Sequence, residues 1–73
     1  MTTKDFATGE RVLYVPSHAH GDAKHPDCER GLVSSANDFN VFVRYYNRKS
    51  GELSHRGQAT RPDDLIKLNG AAL

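Results

Sequence analysis

A chain of 73 residues, 37% hydrophobic and 26% charged, suits one small folded domain and is too apolar to be intrinsically disordered. Ten Lys and Arg against nine Asp and Glu give a net charge of +1, which argues against wholesale electrostatic binding to nucleic acid or to an anionic membrane. A single cysteine excludes an internal disulfide framework and suits a reducing compartment. The opening Met-Thr-Thr-Lys-Asp-Phe has no apolar run behind it, and no stretch reaches the ~20 apolar residues of a membrane span, so a soluble cytoplasmic protein without a signal peptide is expected. A core of this size supplies only about 3–5 kcal/mol of net stability, which an oligomer, ion or ligand would usefully raise.

Residues 1–8 read as an N-terminal tail. Residues 10–15 (Glu-Arg-Val-Leu-Tyr-Val) are rich in strand formers, opened by Gly9 and stopped by Pro16. A polar loop, residues 18–29, leads to a second strand at 31–35 and a turn at Ala36-Asn37-Asp38. Residues 40–46 form the clearest strand, with Val41, Val43 and Tyr45 on one face and Phe42, Arg44 and Tyr46 on the other. A hairpin loop at 47–51 precedes a short return strand at 52–55, and 58–60 extends the pairing past Gly57. Arg61-Pro62-Asp63-Asp64-Leu65 reads as one helical turn, with Pro presetting φ and the paired Asp residues favouring the N-terminal dipole. A last strand at 66–68 precedes a tail at 69–73.

No window of ten residues has a helical hydrophobic period. The fold class is therefore all-β. Five short strands leave many edges, and closure into a small barrel would remove most of them. The order of strand, long loop, three strands on short turns, one helical turn and a final strand resembles the SH3-like barrel over residues 9–68; an OB-type barrel wants longer strands and a true helix. The expected core takes Val12 or Leu13, Tyr14 or Val15, Leu32 or Val33, then Val41, Val43, Leu65 and Ile66.

Residues 18–29 hold three of the four histidines, the cysteine and three carboxylates. His18, His20, His25 and Cys28 make a donor set that zinc accepts. Structural zinc sites usually place two ligand pairs on separate elements, whereas these four crowd one loop beside Asp22, Asp27 and Glu29. The favoured reading has no cofactor and no metal: a polar loop ordered by hydrogen bonds, with zinc as the alternative. A nucleophilic Cys28 would need His25 as base and an orienting group, but Pro26 restrains the segment and the neighbouring acids raise a thiol pKa. An isolated cysteine more often packs as a small hydrophobe.

Residues 44–61 carry Arg44, Arg48, Lys49, Arg56 and Arg61 against Glu52 alone, interleaved with Tyr45 and Tyr46. Basic and aromatic residues on neighbouring strands suit phosphate pairing and base stacking; solubilising charge on hairpin loops is the commoner cause of such a run. Tyr45 belongs with the core, which leaves Arg44 and Tyr46 as contact candidates, with Arg56 and Arg61 beside them.

The phrases Tyr14-Val15-Pro16, His18-Ala19-His20-Gly21-Asp22, His25-Pro26-Asp27-Cys28-Glu29, Gly31-Leu32-Val33-Ser34-Ser35 and the segment from Ala59 to Leu65 resemble a group of small proteins encoded by bacteriophages and prophages. That resemblance implies an intracellular accessory protein and carries over no catalytic residue. The expected function is a non-enzymatic recognition module for a host or phage macromolecule, most simply a protein. Its candidate contacts are His18, His20, Asp22, His25 and Asp27 on the loop and Arg44, Tyr46, Arg56 and Arg61 on the basic side. Two alternatives stand beside it. One is an oligomeric trap for a nucleotide, with Arg44, Arg56 and Arg61 on phosphate and Tyr46 stacking. The other is nucleic-acid binding by the basic hairpin face.

Overall fold

The computed structural model describes residues 2–68, so the expected tail at 69–73 lies outside the described residues. Five strands, β1 (Arg11–Tyr14), β2 (Glu29–Ala36), β3 (Val41–Tyr45), β4 (Gln58–Thr60) and β5 (Leu65–Lys67), form one antiparallel sheet in the order β4-β3-β2-β1-β5. The helical segments are single 3₁₀ turns: η1 (Thr3–Asp5), η2 (Ser17–Ala19) and η3 (Pro62–Asp64). The all-β class expected from the sequence is what the chain adopts. Among the described residues no helix is long and apolar enough to cross a membrane.

The sheet is not closed. β4 and β5 are its edges, and no ladder joins them. Each is three residues long, and the path between them is taken up by Arg61 and η3, which leaves no strand among the described residues to complete a ring. The same link nevertheless forces curvature. The outer strands of a flat five-stranded sheet stand about 19 Å apart, four spacings of ~4.8 Å. Three of the four connecting residues are wound into a turn that rises only ~2 Å per residue, so the edges must curl toward each other and enclose one face.

Strand register fixes what that face buries. Val12 lies opposite Gly31, Gly31 opposite Tyr45, Val33 opposite Val43, Val41 opposite Thr60 and Tyr14 opposite Leu65. Val12, Val41 and Val43 are fully buried, joined by Val33, Leu65 and Phe6, with Tyr14 and Tyr45 packed at the margin. Val41, Val43 and Tyr45 thus share the inner face, as alternation predicts. Gly31 is indispensable to this packing: a Cβ there would stand 2.5 Å from Val43 Cγ1, 2.7 Å from the Arg44 carbonyl oxygen and 3.1 Å from Tyr45 Cδ1. An irregularity between Val33 and Ser35 inserts Ser34, whose Oγ donates to the Phe42 carbonyl at 3.0 Å.

Several sequence expectations change. The segment read as a tail contributes Phe6 and Thr3 to the interior, held by η1 and by the Ala7 amide donating to Glu10 Oε1 at 2.7 Å. Leu13 and Val12 are both buried, because β1 is covered on both faces. Its outer face forms a second cluster of Leu13, Val15 and Ala19, with Cys28 and Leu68 against it. Ile66 is 41% exposed and Leu65 takes the inward place, since β5 begins one residue earlier than expected. The return strand expected at 52–55 shrinks to one bridge, Tyr46 to Leu53. After the Ser54 amide reaches the Tyr45 carbonyl, pairing resumes only at Gln58 opposite Val43. Residues 55–57 therefore bulge out of the ladder.

Ala instead of Gly within a strand ordinarily stabilises by roughly 0.5–1 kcal/mol, but overpacking costs about 1–3 kcal/mol or more. The contacts around Gly31 involve backbone as well as side chains, so the clash wins. Gly31→Ala should lower unfolding free energy in urea by at least as much as Val43→Ala, for which roughly 1–3 kcal/mol is expected. A Gly31→Ala variant as stable as the parent would refute this account of the inner face.

Candidate binding groove

The His/Cys loop is a run of linked turns. Backbone amides of Ala19, Asp22, His25 and Cys28 donate to the carbonyls of Pro16, Ala19, Asp22 and His25, each three residues back, at 2.9–3.1 Å. His20 adopts left-handed φ of 52° and is followed by Gly21 at 80°, which turns the chain after η2. Ala19 and Cys28 fasten the loop to the outer face of β1. The Arg48 guanidinium reaches from the next hairpin and donates to the Cys28 carbonyl at 2.7 Å. Cys28 is a packing residue, its thiol donating to the Asp22 carbonyl at 3.4 Å.

Of the candidate zinc donors, the fold brings together only His18 and His25, and adds Asp27. His18 Nε2 lies 2.7 Å from Asp27 Oδ2, and the two imidazoles meet edge to face at 5.3 Å. The His18 hydrogen bond holds the Asp27 carboxyl below its usual range, opposed by desolvation and aided by the charges of His25, His18 and Arg48. His25 Nδ1 accepts the Asp27 amide at 3.0 Å, which places the proton of the neutral ring on Nε2. His18, His25 and Asp27 offer donor atoms within 4.8 Å of one another, which would have to draw closer to share an ion at ~2 Å from each. His20 is exposed at its turn, and Asp22 is used locally, its Oδ1 accepting the Lys24 amide at 2.9 Å.

Two clefts adjoin on the side where the curled sheet opens. One, of about 330 Å³, is lined by Tyr14, Glu29, Tyr45, Thr60, Arg61 and Asp64 among others. The second, of about 430 Å³, is lined by Tyr14, Pro16, Ser17, His18, Asp27, Glu29 and Arg48. Both include Tyr14 and Glu29, so the two clefts adjoin at these side chains. The register explains the convergence. Tyr14 faces Glu29 across β1 and β2, and Tyr45 leans over Gly31, two residues along from Glu29. The rings of Tyr14 and Tyr45 meet edge to face with centroids 6.0 Å apart.

In the first cleft Tyr45 Oη and Thr60 Oγ1 share a 2.7 Å hydrogen bond in which either hydroxyl can be the donor, and Thr60 Oγ1 lies 3.1 Å from the Gln58 carbonyl. Glu29 and Asp64 add carboxylates, and neither has an ion-pair partner among the described residues. Burial pushes the Tyr45 phenol up to about 12; Glu29, Tyr14 and Asp64 push the same way, and the Thr60 hydrogen bond opposes them.

The basic candidates do not converge. Arg44 Nε donates to the Ser54 carbonyl at 2.7 Å and so clips the hairpin loop. Arg56 is exposed in the bulge beyond it. Arg61 lines the groove, its guanidinium 3.9 Å from Asp63, whereas Tyr46 lines a different cleft of about 470 Å³ with Arg11, Arg30 and Leu68. From the sequence alone Tyr45 belongs to the core, Tyr14 is a core alternative and Asp64 favours the last turn, and neither they nor Glu29 are contact candidates. The available signal was that both tyrosines sit at inward positions at strand ends, where the inner face opens to solvent. No protein-family model, no curated protein and no solved structure matches the chain.

The raised Tyr45 pKa predicts alkaline destabilisation. With a folded value near 12 and an ordinary value of 10.0, the unfolded chain releases the proton first. The stability associated with the neutral phenol is complete below about pH 10 and falls as pH rises toward 12. Urea unfolding across that window should show Tyr45→Phe losing less stability than the parent. Parallel curves for the two proteins would contradict the assignment.

Proposed function

We propose that this protein is a non-enzymatic recognition module that binds an extended segment of a protein partner along the groove between Arg61 and Arg48. The observation that carries the reading is that two adjoining clefts share Tyr14 and Glu29 in their linings. An elongated recess flanked by aromatic rings and by side chains held in place suits a peptide better than a compact metabolite. Preorganisation supports it too: the linked turns and the Arg48 clamp fix one wall, and strand pairing fixes the other. Of the loop candidates, His18 and Asp27 belong to this surface. The likeness of the sequence phrases to phage and prophage proteins supports a host or phage protein as the partner class, met in the host cytoplasm.

A second reading is favoured by one observation. Arg11 and Arg30 flank Tyr46 on the outer face of the sheet, and neither guanidinium has a partner among the described residues. That arrangement suits a phosphodiester with a stacked base, and affinity there would fall steeply with salt. It gives nucleic-acid binding a different surface from the one inferred from residues 44–61. The nucleotide trap has weaker support, because its proposed arginines and Tyr46 are divided between clefts.

A photo-crosslinking residue at Ser17 or Gln58, at opposite ends of the groove, tests the first reading in a host lysate. Both positions should give the same crosslinked protein, Tyr14→Ala should abolish it, and a crosslinker at Ser35 on the outer face should not give it. Crosslinks equally strong from Ser35, or none from either groove position, would sink the reading.

A further inference from the structure

We propose that the cleft between Tyr14 and Tyr45 is a receptor for the ammonium group of a lysine side chain of the protein partner; this deepens the groove reading and rests on it. The cleft offers a cation what it needs and offers an anion little. Two carboxylates, Glu29 at the start of β2 and Asp64 at the end of η3, flank the paired rings from separate elements. Both are partly buried and have no ion-pair partner among the described residues. The Tyr45 phenol oxygen, hydrogen-bonded to Thr60 Oγ1 at 2.7 Å, keeps a lone pair for a donor entering the cleft. The rings of Tyr14 and Tyr45, packed edge to face, line the same cleft and add aromatic surface beside these acceptors. Arg61, the cationic residue of the lining, stays at the rim beside Asp63, with its side chain 73% exposed.

Geometry favours lysine over arginine. A guanidinium pairs best with one carboxylate in a flat, two-bond fork, whereas an ammonium distributes three donors in space. Here the acceptors stand on three elements around the cleft: Glu29 on β2, Tyr45 on β3 and Asp64 on η3. The cleft volume, about 330 Å³, is at the small end of the ligand range (~300–1,000 Å³) and suits one side-chain head with its methylene stem along the rings. The adjoining half of the groove then receives the flanking backbone.

The probe is the capped tripeptide acetyl-Gly-Lys-Gly-amide, titrated at millimolar concentration into the isotope-labelled full chain and followed by NMR, with norleucine and arginine versions as controls. The lysine peptide should shift resonances of Tyr14, Glu29, Tyr45, Thr60 and Asp64, and the norleucine peptide, which keeps the stem and lacks the charge, should bind roughly tenfold more weakly or not at all. Glu29→Gln and Asp64→Asn keep shape and remove charge, and each should weaken the lysine peptide by about five- to tenfold without altering the fold seen in the same spectra. Equal binding of norleucine and lysine, tighter binding of arginine, indifference to both substitutions, or no shifts at millimolar peptide would each overturn the proposal. Those failures leave the groove reading standing so long as Ser17 and Gln58 still crosslink one partner; loss of the crosslinks refutes the groove reading itself.

Discussion

The absence of a side chain at residue 31 is the constraint on which the remaining architecture depends. β2 lies in the middle of the sheet, and at Gly31 it lets Val43 and Tyr45 pass closer to its backbone than any Cβ would allow. Val43 can then be wholly buried, and Tyr45 can lean across β2 until its ring meets Tyr14 from β1. One missing methyl thus serves packing and recognition together. It tightens the inner face around Val43, and it brings two aromatic rings from strands that do not pair with each other to the mouth of the groove.

β1 is the second organising element, because it is buried on both sides. Its inner residue Val12 belongs to the main cluster, while Leu13 and Val15 are covered by the loop that follows it. Two neighbouring strands and a loop therefore fasten on four residues. The edges are managed differently. They are left open, but each is three residues long and bordered by Arg61 and η3, which offers little template for a foreign strand.

The sequence disclosed what depends on local periodicity. The alternation of Val41, Val43 and Tyr45 determined the face of β3, Pro62 marked the turn between the last strands, and the density of turn formers at 18–29 foretold an ordered loop. What depended on register was hidden. Tyr14 and Glu29 are paired neighbours separated by the whole His/Cys loop, and no local pattern announces that they meet. The same blindness grouped Arg44 and Tyr46 with Arg61, which the final turn carries to another cleft. Phe6 escaped notice because one aromatic residue in a polar stretch carries no period. The curled but open sheet also lay beyond reach, since strand count alone does not determine whether the last strand closes the ring.

The spacing of the turns in the His/Cys loop has a consequence for how that wall of the groove was built. Each hydrogen bond begins where the previous one ends, so Pro16, Ala19, Asp22, His25 and Cys28 form a ladder with a step of three. The loop consequently behaves as a counted structure rather than as slack chain. The segment has neither helix nor strand beyond η2, yet its backbone amides are satisfied in succession from Ala19 to Cys28, so this wall of the groove is held by its own main chain and needs no neighbouring strand to give it shape.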